Sequence, residues 1–397
     1  MNILLLTSNY PADDIPKDLT SVVHYFTKEW ALMGHRVVVV HNQTTFPYWV
    51  YFPLRFLKQK LANKTGYSFI THKLPERDYI IDNVKVFRRN MIKPAPRCGF
   101  TKKSYDQQTL KIKQILELQN FTPDIIIGHW LTPQLKLIHN LQTIYHKRTA
   151  LIIHEELPLI QRDYGSSGEL YLKSVNTLGY RSKRIKEVFE KEYPWVKAHK
   201  KFMCYSGIPT SFISTEDRNI KYPFMTYTYI GTLIERKHPE ALIEVLKDKK
   251  NTNFTINYIG DGPLANRIQT LANKNNMQSK VQFHGRISRD NTQRILSKTD
   301  CFIMISEKET FGLVYLEAMA AGCITIASKN EGIDGIIIDG HNGFLCEAGN
   351  ANDLKSILTK IENMSVLELA QISQNAKNTA LLYTNPNTAN RYLNSII

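Results

Sequence analysis

Two glutamates eight residues apart, Glu309 and Glu317, stand in the segment SEKETFGLVYLEAMAAG (306–322). A short apolar run ends at Ile305 and a helical pattern starts near Leu313, so the segment reads as strand, loop and helix start. Such a loop delivers backbone N–H groups at a helix N-terminus, which suits an anion. Gly312 permits close approach of the backbone to a ligand. Two carboxylates near one helix start can hydrogen-bond different hydroxyls of a polyol. A capping carboxylate beside an ordinary helix glutamate explains the same spacing equally well. A second loop, GTLIERKH (231–238), puts Arg236 and Lys237 after the strand pattern Thr226–Ile230. Two cations there suit a diphosphate; they also fit plain solvated surface. A third loop, GDGP (260–263), lacks the later glycine of GxGxxG. No GxxxxGK[ST], HExxH or GxSxG occurs, which argues against a P-loop kinase, a zinc protease and a serine hydrolase. In the first half, His129 and His154 each close an apolar strand pattern. A lone histidine in that place packs or caps more often than it reacts.

The elements that must position these residues come in two series. Asn2–Thr7, Ser21–Met33 and Arg36–Val40 make a β–helix–β unit, the building block of parallel sheets. Lys85–Phe87, Asp124–Ile127 and Ala150–Ile153 add strand patterns; Leu110–Gln119 and Pro133–Tyr145 add helices. The alternation restarts after the Pro- and Tyr-rich stretch Tyr205–Pro223. Strands at Thr226–Ile230, Thr255–Ile259, Val281–His284, Cys301–Ile305 and Ile324–Ala327 then alternate with helices, the first at His238–Leu246. Two such series predict an α/β chain of two doubly wound domains, 1–205 and 206–382.

Composition narrows the class. Of 397 residues, 43% are hydrophobic and 22% charged, which excludes a disordered or fibrous chain. No apolar run approaches the roughly 18 residues of a membrane span. The opening MNILLLTSNYP has no basic region and reads as a strand, not a signal peptide. Five scattered cysteines with no CxxC support neither a disulfide framework nor a zinc ribbon, and a reducing cytoplasm is expected. Residues 1–205 hold 31 lysines and arginines against 17 acids, a net +14, while residues 206–397 hold 20 against 19. An anionic partner for the first half is expected: a phosphate-rich acceptor, an anionic membrane surface or nucleic acid. A basic surface with no specific partner fits the same charge. The segment TTFPYWVYFPLRFL (44–57), followed by Lys58, Lys60 and Lys64, sets aromatics beside lysines, as at a membrane interface. Its two prolines argue against a regular helix, and a buried loop or an acceptor-pocket wall explains it as well.

Six pieces in order, GTLIERK, IGDGP, FHG (283–285), TDCF, SEKETFGLVYLEAMAAG and DGHNGFL (339–345), resemble the retaining glycosyltransferases of the family-4 group. The likeness is specific over about residues 229–345. In the first half it rests on the opening β–helix–β unit, MGHRVVVV and PDIIIGHW. The resemblance implies the GT-B fold, two Rossmann-like domains facing a central cleft, with a C-terminal helix at about 383–397 packed back on the first. It implies transfer of a hexosyl unit from a nucleotide sugar, UDP favoured over GDP, to a cell-envelope polysaccharide or lipid-linked glycan. It gives Glu309 the donor sugar's hydroxyls and Glu317 the ribose. Phe311, Gly312 and Leu313 would offer backbone to sugar and diphosphate. Lys237, with Arg236 and the Gly231–Thr232 turn, would neutralise the diphosphate; Arg286 and Ile287 would read the nucleobase through backbone. His129 would stand next to the reacting sugar, and Lys17, Asp18 and His154 would line the acceptor side.

A front-face reaction needs no carboxylate nucleophile, and no Asp-x-Asp pair lies near these loops, so neither a metal nor a cofactor is expected. Thr232 stands where the family usually has an arginine, and Lys17–Asp18 where many members have a Gly-Gly turn. These departures keep a catalytically decayed scaffold open as an alternative. A nucleic-acid-binding or base-glucosylating protein of the same fold is another, though no reader motif appears and no nucleic acid is expected. The expected place of work is the cytoplasm, peripherally on the inner face of the membrane.

Overall fold

The computed structural model describes all residues except 17–21, 66–69, 155–159, 199, 217, 219, 221 and 250–252. The chain divides into two compact units. The first comprises residues 1–62, 67–205 and 385–397; the second comprises 206–384 with 63–66.

The first unit runs β1 (Asn2–Thr7), α1 (Val22–Leu32), β2 (Arg36–Thr45), α2 (Tyr48–Thr65, its last three residues counted with the second unit), β3 (Arg77–Ile81), β4 (Val84–Ile92) and α3 (Lys102–Leu118). It continues with β5 (Ile125–His129), α4 (Gln134–Tyr145), β6 (Arg148–Ile153), α5 (Ile160–Tyr164), α6 (Ser167–Leu172), β7 (Thr177–Tyr180), α7 (Lys183–Glu192) and β8 (Lys200–Met203). The second unit has β9 (Thr226–Ile230), α8 (Ala241–Leu246), β10 (Thr255–Ile259), α9 (Ala265–Lys274), β11 (Val281–Gly285) and α10 (Arg289–Leu296). Then come β12 (Cys301–Ile303), α11 (Leu313–Ala320), β13 (Ile324–Ser328), β14 (Phe344–Cys346), α12 (Ala351–Glu362) and α13 (Val366–Leu382). The last helix, α14 (Asn385–Ile396), returns to the first unit.

The first sheet has the order β3-β4-β2-β1-β5-β6-β7-β8, and the second β11-β10-β9-β12-β13-β14. Among the described residues every strand pairing is parallel except β3 with β4. Near-continuous apolar runs such as ILLL in β1 suit strands covered on both faces, and Ile3, Leu4, Leu5 and Leu6 are fully buried. Leaving aside the antiparallel β3, the strand order of each sheet reverses once, between β1 and β5 and between β9 and β12. Crevices at the carboxyl ends of such strand pairs are where doubly wound sheets bind ligands. His129 ends β5, beside Thr7 of β1. Lys237 follows β9 and Glu309 follows β12.

α14 is pinned to α1. The Trp30 indole donates to the Ala389 carbonyl at 3.0 Å, and Tyr392 packs edge-on against Phe26 at 5.1 Å.

Two local expectations are corrected. The aromatic segment is helical after all: α2 passes through Pro53. Pro53, inside the helix, gives up one ladder bond, and the buried Val50 and Tyr51 anchor the turn before it in the core. Conversely, His238–Leu246 is not one helix. Glu235–Lys237 forms a 3₁₀ turn, His238 is left-handed at φ 44°, and α8 starts only at Ala241. Pro239 disfavours α conformation at His238, which breaks the pattern.

Candidate active site

In the second unit the three loops after β9, β10 and β11 are tied backbone to backbone. Gly231 N–H donates to Ile259 O at 2.9 Å, Gly260 N–H to Gly285 O at 2.8 Å and Leu233 N–H to Asp261 O at 3.0 Å. A Cβ at Gly260 would lie 2.0 Å from Gly231 O, so only glycine lets these two turns meet. Across the strand reversal, Glu307 N–H donates to Arg236 O at 2.7 Å, and the Arg236 guanidinium returns a bond to Glu307 O at 3.2 Å. Loops from the two reversal strands are thus stitched together.

That stitching brings Lys237 and Glu309 into contact. Lys237 Nζ lies 3.0 Å from Glu309 Oε2, and Arg236 Nη1 lies 4.0 Å from the same oxygen. The Ser306 hydroxyl also donates to it at 3.4 Å. Both side chains of the close pair are mostly buried, 14% and 13% exposed. Burial pushes the Glu309 carboxyl up, but Lys237 beside it, helped by Arg236 and Ser306, holds it below the usual carboxylate range. Glu331, unmarked by any sequence signal, accepts Glu309 N–H at 2.8 Å and fixes the loop. Gly312 caps α11 at φ 77°, and no side chain caps that N-terminus. A Cβ at Gly312 would lie 2.4 Å from the Tyr315 ring. Phe311 is buried and Leu313 half-buried. Thr232 takes part through its carbonyl, which accepts the Tyr229 hydroxyl at 3.3 Å.

Glu317 is in a different state. It is buried on α11, and Arg289 binds it through Nε at 2.7 Å and Nη2 at 2.5 Å. Here burial outweighs the single cation, and the Glu317 carboxyl is raised above its ordinary value. Arg289 is the first residue of α10, three past Arg286 and two past Ile287. Sequence reasoning stops at those two neighbours, because nothing local marks Arg289 as the partner of a glutamate 28 residues away. Arg286 is exposed and Ile287 half-buried in the β11–α10 loop.

The first unit has its own cluster, built differently. His129 is fully buried; its Nδ1 lies 2.9 Å from His154 Nε2 and its Nε2 lies 3.1 Å from the Tyr392 hydroxyl. Burial, reinforced by the charge of Arg181, holds both imidazoles well below the ordinary histidine value, so both are neutral. A neutral His129 can accept the Tyr392 hydroxyl at Nε2 only while Nδ1 carries its proton toward His154. The half-exposed Trp130, left-handed at φ 68°, stacks on His154 at 4.1 Å. Tyr392 lies 263 residues from His129, so no spacing signal points to it. Lys17 and Asp18 lie outside the described residues. Among the described residues no group of three or more metal-ligating side chains occurs.

Solved structures repeat this two-sheet architecture over nearly the whole chain. The HepE protein of Anabaena, solved with UDP, covers 99% of this chain and 98% of its own with a TM-score of 0.68 at 16% identity. The fold is GT-B, and the class it defines with these loops is a glycosyltransferase. Residues 216–379 match the model of the glycosyl transferases group 1 family. An uncharacterized glycosyltransferase of Methanocaldococcus jannaschii, MJ1178, is 28% identical over 254 residues, 63% of this chain and 68% of that one. The lipopolysaccharide core biosynthesis glycosyltransferase LpsE of Rhizobium meliloti is 29% identical over 132 residues, 33% of this chain and 38% of that one.

Proposed function

We propose that this glycosyltransferase moves a hexosyl unit from a nucleoside diphosphate sugar, UDP favoured over GDP, to a cell-envelope polysaccharide or lipid-linked glycan, with retention at the anomeric carbon. The observation behind this reading is the Lys237–Glu309 pair at the strand reversal of the second sheet, 3.0 Å apart beside the uncapped start of α11. The sugar C1–O bond breaks and its electron pair stays on the diphosphate. The acceptor hydroxyl bonds C1 from the same face, and its proton passes to the departing phosphate oxygen. Lys237 and the helix start stabilise the charge that grows there. Arg236, 4.0 Å from Glu309, stands in for the arginine that Thr232 replaces. Glu309 holds the sugar hydroxyls, and Glu317, oriented by Arg289, holds the ribose.

His129 joins the reaction only by giving up one ring contact, since its two nitrogens are engaged by His154 and Tyr392. The same reading assigns no metal to the reaction. An anionic membrane surface is the second partner, favoured by the +14 charge of residues 1–205, and the place of work is the inner face of the cell membrane. No described helix is long and apolar enough to cross a membrane.

The test is a thermal-shift panel of UDP- and GDP-sugars on the purified protein, with and without EDTA. A donor at about 100 times its Kd should stabilise by about 2.7 kcal/mol. A shift with one donor, unchanged by EDTA, is the expected result; no shift with any donor overturns the reading, and a shift lost in EDTA overturns its metal-free part.

A further inference from the structure

The exposed face of α2 is inverted for a surface helix. Tyr48, Trp49, Phe52 and Phe56 are 76%, 66%, 62% and 74% exposed, while Val50 and Tyr51 are buried. At about 100° per residue, Tyr48, Phe52, Phe56, Trp49 and Pro53 fall within about 140° of the helix surface. The outer arc is therefore aromatic and apolar, and Leu57, 46% exposed, extends it on one side. Arg55 and Lys58, both exposed, lie on its other flank. Phe52 and Phe56 support each other edge to face at 5.4 Å. The Tyr51 hydroxyl accepts Phe46 N–H at 3.1 Å and holds the helix start to the strand before it. Nothing about the core requires four large aromatics to face solvent.

We infer that this face of α2 docks on an anionic lipid surface, lying in the interface with Trp49, Phe52 and Phe56 inserted. The inference deepens the membrane part of the proposed function and rests on that part alone. Charge selects the occupant. The sequence of α2 holds four cations, Arg55, Lys58, Lys60 and Lys64, and no acid. An anionic headgroup layer meets the exposed Arg55 and Lys58 with opposite charge, and aromatic rings with an amphipathic edge settle at that depth. A second copy of this chain on a two-fold axis would set cationic helix against cationic helix. At 18 residues with a proline inside and four cations in its sequence, α2 lies on a bilayer and does not cross it.

The test is co-sedimentation of the full chain with phosphatidylcholine vesicles, alone or containing phosphatidylglycerol. The variant W49S/F52S/F56S removes only exposed rings, and its melting curve checks that it folds. Wild type should pellet with the phosphatidylglycerol vesicles, and the variant's partition coefficient should drop about tenfold or more. Three results overturn the inference: wild type that stays in solution with anionic vesicles, a folded variant that binds them as wild type does, or a wild-type dimer that the variant dissolves. Donor-induced thermal shifts in the same variant report the donor site separately, so failure of one reading is not mistaken for failure of the other.

Discussion

The two units share a reversal of parallel strand order and differ in what they place at it. In the second unit the reversal strands present ions: Lys237 against Glu309, with Arg236 beside them and Arg289 against Glu317 on α11. In the first unit they present neutral rings: His129 between His154 and Tyr392, with Trp130 stacked on His154. The net charges run the other way, +14 for residues 1–205 against +1 for 206–397. Charge in the first unit is therefore spread over surface, where it steers partners, while charge in the second is gathered into buried pairs, where it fixes geometry. One fold thus supplies a dispersed field in one half and a preorganised ion cluster in the other.

The largest expected effect breaks the ion cluster. Lys237→Ala should lower turnover about 100- to 1,000-fold, the usual loss when one preorganised charge-stabilising group is removed. Glu309→Ala should do the same. Each single variant strands a mostly buried partner, so melting temperature should fall as well; the double variant K237A/E309A should recover part of that loss. Steady-state kinetics and melting curves on the three proteins decide it. Wild-type turnover in either single variant would remove the pair from the reaction.

Arg289→Met is the next step down. It leaves Glu317 buried without its cation, so that carboxyl should rise further above its ordinary value and bind a proton more readily. Donor KM should rise about tenfold, worth about 1.4 kcal/mol, with kcat little changed. Part of the lost affinity should return as pH is raised and Glu317 ionises. A fall in kcat at constant KM would instead place Arg289 on the reacting side of the donor.

Acid should separate the units. His41 is held down at about 4 by burial, and burial also lowers His24, His129 and His154. Each is neutral in the fold and binds a proton in the unfolded chain below about pH 6.5. The unfolded state therefore gains protons first as pH falls. This part of the first unit's stability is complete above about pH 6.5 and drains away between there and about pH 4. In the second unit, the lowered Glu309 loses its contribution only lower, as pH falls through the carboxylate range. Hydrogen exchange followed by peptide should show residues 1–205 losing protection at pH 5 before residues 206–384 do. Simultaneous loss would mean that the buried imidazoles add little to stability.

Much of the second unit is legible in its sequence, because its cluster is written locally. Glu309, Phe311, Gly312 and Leu313 sit within five residues, and the strand before them and helix after them follow from apolar runs. Lys237 becomes a neighbour once β9 and β12 are adjacent, which alternation of strands and helices already suggests. Arg289 and Glu331 escape notice because each meets its glutamate through folding over 22 to 28 residues, with no motif between. The first unit is harder still. Its reversal strands are readable, but Tyr392 reaches His129 from the far end of the chain, on a helix whose sequence, NPNTANRYLNSI, advertises nothing. α2 shows the opposite failure: Pro53 signals a break, yet the buried Val50 and Tyr51 outweigh one missing ladder bond.

The smallest effect addresses the neutral cluster directly. Tyr392→Phe keeps the ring that packs on Phe26 and Trp30 and removes only the hydroxyl at His129 Nε2. A buried hydrogen bond of this kind contributes about 1 kcal/mol, so the melting temperature should fall by roughly 2–4 °C. The shift induced by a nucleotide sugar should not change, because Tyr392 belongs to the first unit. The informative readout is kinetic. Without the hydroxyl, Nε2 no longer has a fixed partner, and the Nδ1 proton is no longer committed to His154. If His129 meets the transferring sugar through that nitrogen, kcat moves and its pH profile shifts, while donor KM holds. If melting moves and kcat does not, His129 is a packed residue of the first unit, and the reaction's ions all lie in the second.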